Sequence, residues 1–150
     1  MAQMVGLAFA ILRSVPVFMR SLFHDFDPTA LGLLYNRTQL KALIILNRMR
    51  RPTMTMLSTS LDLQKGSTTG LVDGLENQGL VRRCRDQEDR RSIVLELTEQ
   101  GTRIAEKSET MVQRHINGKL DILTDTEKTK LIDCVEFLNN IARKLSECVR

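Results

Sequence analysis

Helical periodicity along most of the chain, broken by one short pair of strands, predicts a mainly α fold with a small β-wing. Three observations carry that prediction. Apolar residues recur at three- and four-residue steps at both ends: Leu12, Val15, Met19, Leu22 and Phe26 near the start, and Leu131, Val135, Leu138, Ala142 and Leu145 near the finish. Residues 53–79 hold two short helical patterns separated by a tight turn, with Leu57 and Leu61 in one and Thr68, Leu71, Val72 and Leu75 in the other. Val81-Arg82-Arg83-Cys84-Arg85 and Ile93-Val94-Leu95-Glu96-Leu97 then read as a strand and its return around a polar tip. Helix, turn, helix and hairpin make a winged helix-turn-helix, and the apolar ends read as N- and C-terminal helices forming a dimerisation region.

Taken in order, residues 3–26 are helical in character, and Pro16 is expected to kink the helix or break it near Val15. Apolar residues of the first dozen positions lie all round that helix. They point to an interface between subunits or to burial within one. Asp27-Pro28 ends the segment, and residues 29–35 read as a short helical turn. Asn36-Arg37-Thr38-Gln39 has the form of a capping box, opening a helix through Leu40, Leu43, Ile44, Leu46 and Met49 that Arg50-Arg51-Pro52 closes. Thr53 caps the next helix, whose Leu57 and Leu61 are expected to face the second one, with Leu63 in the turn between them. Gly79 stops that second helix because glycine enters the left-handed conformation cheaply, and Leu80 is expected to fold back onto Leu75. Thr98 caps a long helix from Glu99 toward Asp121, and Thr124-Asp125-Thr126-Glu127 is a second capping box that starts the last one. In that last helix Ile132, Phe137 and Ile141 widen the apolar surface beyond a single seam.

The second helix of the pair is the candidate reader of a partner. Opposite its apolar face it carries Lys65, Ser67, Thr69 and Asp73, and Gly66, Gly70 and Gly74 fall four apart in one row. Each mid-helix glycine costs about 1 kcal/mol relative to alanine. Either another backbone approaches this bare surface closely, or packing from Leu71 and Leu75 outweighs the cost. In the hairpin, five arginines sit between Val81 and Arg91, interleaved with Asp86, Glu88 and Asp89. An acid near an arginine can hold the guanidinium in one pose, and arginine suits a narrow electronegative groove. Internal ion pairs of a solvated hairpin are the plainer account of the same charges.

Asp89-Arg90-Arg91 followed by Leu97-Thr98 and Gly101 matches the DxR…LTxxG signature of the MarR family of transcription regulators. Gly70-Leu71-Val72-Asp73-Gly74-Leu75-Glu76-Asn77-Gln78-Gly79-Leu80-Val81 is similar to the end of that family's recognition helix. The resemblance implies interlocked terminal helices from two subunits, winged lobes that bind DNA, and small ligands held between dimer helices and lobe. The chain departs from the family at Gly70 and Gly74, where basic side chains are frequent, so no contact is carried over to those positions.

Composition narrows the alternatives. A hydrophobic fraction of 42% with 27% charged residues is that of a globular protein, and its 150 residues suffice for one domain with a real core. Aromatics make up 4% with no Trp, which gives little support for stacking single-stranded bases. The formal charge of +4 is compatible with a polyanion. Cys84, Cys134 and Cys148 form no CxxC or zinc-type cluster, and their odd number fits a reducing cytosol. Cys134 and Cys148 sit about 21 Å apart along one helix, so a bridge is open to them only between subunits. The apolar run from Met4 to Leu12 is too short to span a bilayer and lacks a cationic start. His24 and His115 lie in no catalytic motif, and Lys119 stands where a histidine ligand would follow His115. Cys84, between Arg83 and Arg85, is either a thiol with a lowered pKa or a half-buried structural one.

The expectation is therefore a cytoplasmic, homodimeric, sequence-specific double-stranded DNA-binding transcription regulator, a repressor released by a small molecule. It is not an enzyme, and needs no cofactor, metal or membrane. Its organisation is expected to be dimerisation helices over residues 1–35, a winged lobe over 36–101, and connecting and dimerisation helices over 102–150, intertwined as one domain. The candidate DNA contacts are Lys65, Ser67, Thr68 and Thr69 at the reader helix, with Arg82, Arg83, Asp89, Arg90 and Arg91 in the wing. Arg91 held by Asp89 is the first choice for the minor groove of a pseudo-palindromic operator, and the ligand-binding residues are unknown. A cysteine-based redox regulator and a winged-helix interaction scaffold that does not bind DNA are the rival readings.

Overall fold

Six helices and one antiparallel strand pair make up the described part of the chain, residues 2–29, 34–86, 88 and 92–147, with side chains from residue 6 onward, in a computed structural model. In order they are α1 (Ala2–Phe23), α2 (Arg37–Arg48), α3 (Met54–Leu61), α4 (Lys65–Asn77), β1 (Val81–Arg85), β2 (Ile93–Leu97), α5 (Glu99–Leu120) and α6 (Asp125–Glu147). Two compact units emerge, residues 1–113 and 114–150. The helical turn expected over 29–35 falls largely outside the described residues.

Helix α1 continues through Pro16 without a break. Pro16 lacks the amide that would bond one turn back, but flanking turns carry the helix past it. The apolar character expected to end at Arg13 continues along the helix to Phe23. The 18 residues Gly6–Phe23 are long and apolar enough, by length and composition, to cross a membrane.

Capping chemistry sets the starts of α2, α3 and α6 as expected. The Asn36 side chain accepts the Gln39 amide at 2.9 Å, and the Gln39 side chain accepts the Asn36 amide at 3.0 Å. Thr53 accepts the Met56 amide at 3.3 Å, and Thr124 and Glu127 exchange their bonds at the head of α6. Helix α4 ends as its sequence requires. Gly79 has φ +70°, and the Leu80 amide reaches back to the Leu75 carbonyl at 2.9 Å.

Leu43, Leu57, Val72, Leu75, Leu80 and Leu95 are fully buried and join α2, α3, α4 and the hairpin into one core. The strands pair from Val81 with Leu97 to Arg85 with Ile93. A third rail runs beside β2, where the Leu95 amide donates to the Pro52 carbonyl at 2.8 Å and Thr53 bridges Val94.

The motif residues Thr98 and Gly101 form the joint below this core. Thr98 caps α5, accepting the Gly101 amide at 3.0 Å while its hydroxyl donates to the Gly79 carbonyl at 2.7 Å. The Thr98 amide donates to Leu80 at 3.0 Å. A Cβ added at Gly101 would lie 2.0 Å from the Leu80 carbonyl oxygen. Only glycine lets the start of α5 approach the end of α4 this closely.

Candidate nucleic-acid interface

Helix α4 presents its first turn to solvent. Lys65, Ser67 and Thr69 are exposed, and Gln64 makes no side-chain capping bond. The first amides of α4 are thus left for solvent or an anionic acceptor at the positive end of the helix. Thr68, expected among the contacts, is 1% exposed, and its hydroxyl donates to the Gln64 carbonyl at 3.1 Å. It belongs to the core because it shares the face of Leu71, Val72 and Leu75. A Cβ built at Gly66, Gly70 or Gly74 meets nothing within 4 Å, so no other part of the described chain approaches that row. Val72 and Leu75, on the opposite face, are fully buried.

Strand alternation divides the expected wing arginines between two faces. Arg83 turns toward α4. Its guanidinium pairs with Glu76 and with Asp73 at 2.6 Å, and its amide donates to Glu76 at 3.2 Å. This arginine ties the hairpin to the reader helix, a role the expectation of a DNA contact missed. Arg82 lies on the other face, largely exposed, and donates to Glu96 at 2.9 Å across the strand pair. That bond from Arg82 holds the Glu96 carboxyl below the usual carboxylate range. Asp89, Arg90 and Arg91, the core of the expected minor-groove contact, lie outside the described residues.

Cys84 shares a face with Arg82 and Glu96, and its thiol donates to Glu96 at 3.4 Å. Partial burial first, and then the Glu96 carboxylate, push the Cys84 thiol above its ordinary value. The neighbouring arginine acts the other way and loses. Half-buried and neutral is the state this arrangement favours. Cys134 is exposed on α6, and Cys148 lies outside the described residues.

One residue that sequence reasoning passed over stands beside the hairpin. Arg51, noted only as part of a helix end, pairs with Asp86 and Glu88 at the foot of the hairpin loop. No local spacing signals a bond between residues 35 apart.

Within the first unit, an apolar cavity of about 370 Å³ opens between α1, α2 and α5. Phe23, Phe26, Leu40, Ile44 and Val112 line it, and Arg37 and Lys41 add positive charge one helical turn apart. Helix α1 also exposes Leu7, Phe9 and Leu12, at 62%, 69% and 72% of their surfaces. Helix α6 exposes Val135, Phe137, Leu138 and Leu145 and buries no residue completely.

Residues 35–93 match the sequence model of the MarR family. The chain is 30% identical over 101 residues to the HTH-type transcriptional regulator YfiV of Bacillus subtilis (strain 168), a match over 67% of this chain. It spans 63% of the length of that curated relative. A MarR family protein from Bacillus stearothermophilus superposes with a TM-score of 0.75 at 26% identity, covering 95% of this chain and 98% of that one. The transcriptional repressor CouR, solved bound to a 23-mer DNA duplex, superposes with a TM-score of 0.69 over 89% of this chain and 94% of its own. Its identity is 22%, a likeness of fold. With a signature at residues 89–101, a matching sequence model and a shared winged architecture, the chain belongs to the MarR family.

Proposed function

We propose that this chain is a sequence-specific, double-stranded DNA-binding transcription regulator, a cytoplasmic homodimeric repressor released by a small-molecule ligand. The observation that carries the reading is the open first turn of α4 beside an arginine-rich hairpin on the same lobe. Lys65, Ser67 and Thr69, with the free amides of that turn, meet phosphates and base edges in the major groove. Arg82 adds a phosphate contact from the exposed face of the sheet. Arg91, oriented by Asp89 and backed by Arg90, reads the width of the minor groove.

The exposed apolar faces of α1 and α6 support dimerisation, since so much wet apolar surface is rare on a monomer. Two readers would then meet half-sites of a pseudo-palindromic operator ~34–36 Å apart. The cavity lined by phenylalanines, with Arg37 and Lys41 at hand, supports an apolar acid as the releasing ligand. Its binding shifts the spacing of the readers and so weakens DNA binding.

A gel-shift assay against the chain's own upstream DNA, with unrelated duplex as competitor, tests the reading. Competitor-resistant binding is expected, and its absence favours an interaction scaffold. Repeating the assay with peroxide-treated protein tests the redox rival, for which release by oxidation is required. Arg91→Ala is expected to weaken binding to all duplexes and lower the salt slope by about one. Asp89→Ala is expected to weaken binding too, although it removes a negative charge near a polyanion. Tighter binding by Asp89→Ala overturns the orienting pair.

A further inference from the structure

The linker between α2 and α3 holds a charged cluster that the proposed contacts do not use. Its backbone forms the third rail of the hairpin, through the Pro52 carbonyl and the Thr53 bridge to Val94. Arg51, just before that rail, has φ +55°, in the left-handed region. Its guanidinium lies across the foot of the hairpin loop. Nε donates to Asp86 Oδ2 at 3.0 Å, one terminal nitrogen donates to the other Asp86 oxygen, and the second donates to Glu88. Asp86 is 7% exposed. It also accepts the Glu88 amide at 2.8 Å, and its own amide donates to the Ser92 carbonyl at 2.9 Å, closing the strand pair.

Exposed ion pairs between mobile side chains hold little in place. This one differs on two counts. The carboxylate is buried and itself bonded to the loop's backbone, and the guanidinium grips it with two parallel bonds, a planar fork that lysine cannot make. Two of the three described residues of the loop between the strands, Asp86 and Glu88, are therefore tied to a linker that is itself hydrogen-bonded to β2 and leads into α3. Asp89, Arg90 and Arg91 follow Glu88 directly in the sequence.

We propose that Arg51 is the positioning residue of the wing: by gripping Asp86 and Glu88 from the α2–α3 linker, it sets where the loop's arginines meet a DNA groove. The proposal rests on the DNA-binding reading above and gives Arg51 no contact of its own with DNA. It acts through Asp86 and Glu88.

The test uses the full chain and a duplex recovered by in vitro selection from a random-core library on the wild-type protein. Arg51→Lys, Arg51→Gly and Arg91→Ala, singly and combined, are titrated by fluorescence anisotropy across a salt series and melted in parallel. Arg51→Lys keeps the charge but not the three-point grip. Arg51→Gly removes the grip while suiting the positive φ. Each Arg51 variant is expected to weaken binding about tenfold, with Arg51→Gly/Arg91→Ala no weaker than its more affected parent, because a misplaced loop has already lost the Arg91 contact. Arg51→Lys is expected to melt near the wild type yet lose about one unit of salt slope, which neither its conserved charge nor a purely structural role would produce. Wild-type affinity and slope in Arg51→Lys overturn the proposal, as do losses that multiply in the double variant, the mark of a direct phosphate contact by Arg51. If Arg51→Gly does not fold, Arg51→Lys and its combination with Arg91→Ala decide. A wild-type chain that selects and binds no duplex defeats the DNA-binding reading, and this proposal with it. A binding wild type with unaffected Arg51 variants defeats this proposal alone.

Discussion

The lobe built from α2 to the head of α5 and the two terminal helices use the same kind of sequence, leucines and isoleucines at helical spacing, and reach opposite states. In the lobe, Leu43, Leu57 and Leu75 lose all contact with solvent. On α1 and α6, Leu12 keeps 72% of its surface and Leu145 keeps 63%. Length goes with this difference. Helices α2, α3 and α4 run for 12, 8 and 13 residues. Helices of that size are marginal alone and persist only by closing on one another. Helices α1 and α6, of 22 and 23 residues, are long enough to hold more of their own structure while an apolar face stays open. Periodicity thus announces that a face will be buried. It does not say whether the partner belongs to the same chain.

The largest expected effects lie in the lobe. Leu75→Ala should cost about 2–5 kcal/mol, because a fully buried leucine leaves both lost transfer energy and a cavity. Gly101→Ala should cost a similar amount or prevent folding, since its methyl group collides with backbone rather than a yielding side chain. Urea unfolding should show both losses at every protein concentration. A small change in either would mean that the joint between α4 and α5 yields more than its geometry implies.

Removing residues 1–12 attacks the other side of the comparison. The truncated chain should sediment as monomer or aggregate, and the intact chain's melting should depend on protein concentration. An unchanged, well-folded dimer of equal stability would show that the α1 face is not part of the interface.

A smaller effect is expected from Thr98→Ala. It removes the cap of α5 and the hydroxyl's bond to Gly79, and should cost about 1 kcal/mol by thermal or urea unfolding. A loss as large as that of Leu75→Ala would make Thr98 a keystone rather than a cap.

The smallest concerns acid at the head of α6. Bonds from the Thr124 amide first, and then its hydroxyl, hold the Glu127 carboxyl below its ordinary range. A depressed carboxyl stabilises the folded form above its unfolded pKa, and that contribution fades as pH falls through the folded value. Relative to the unfolded chain's intrinsic rates, amide exchange in the first turn of α6 should be less protected near about pH 3 than near pH 6. Glu127→Gln should remove most of that difference, and an unaltered pH profile in this variant would discard the carboxylate as its source.

Much of the chain was legible in sequence because its signals are local. Asn36 to Gln39, Thr53, Gly79 and Thr124 to Glu127 act within four residues of themselves, and each begins or ends a helix as its chemistry requires. The hairpin announced itself through two β-prone runs, and its register follows from their pairing. Helix α1 was less legible, since Pro16 signals a kink or a break and the helix runs through it unbroken.

What sequence alone determined was thus the order of elements, their ends and their apolar faces, because propensity, capping and periodicity act over one or two turns. Tertiary structure decided which polar residues are available to a partner. Thr68 is buried because its helical phase places it with Val72 and Leu75. Arg83 is engaged because strand alternation turns it toward Asp73 and Glu76. Arg51 holds the hairpin because a linker between two helices happens to run beside β2. Each depends on a neighbour distant in the chain, and charge, unlike periodicity, carries no mark of which neighbour it will meet.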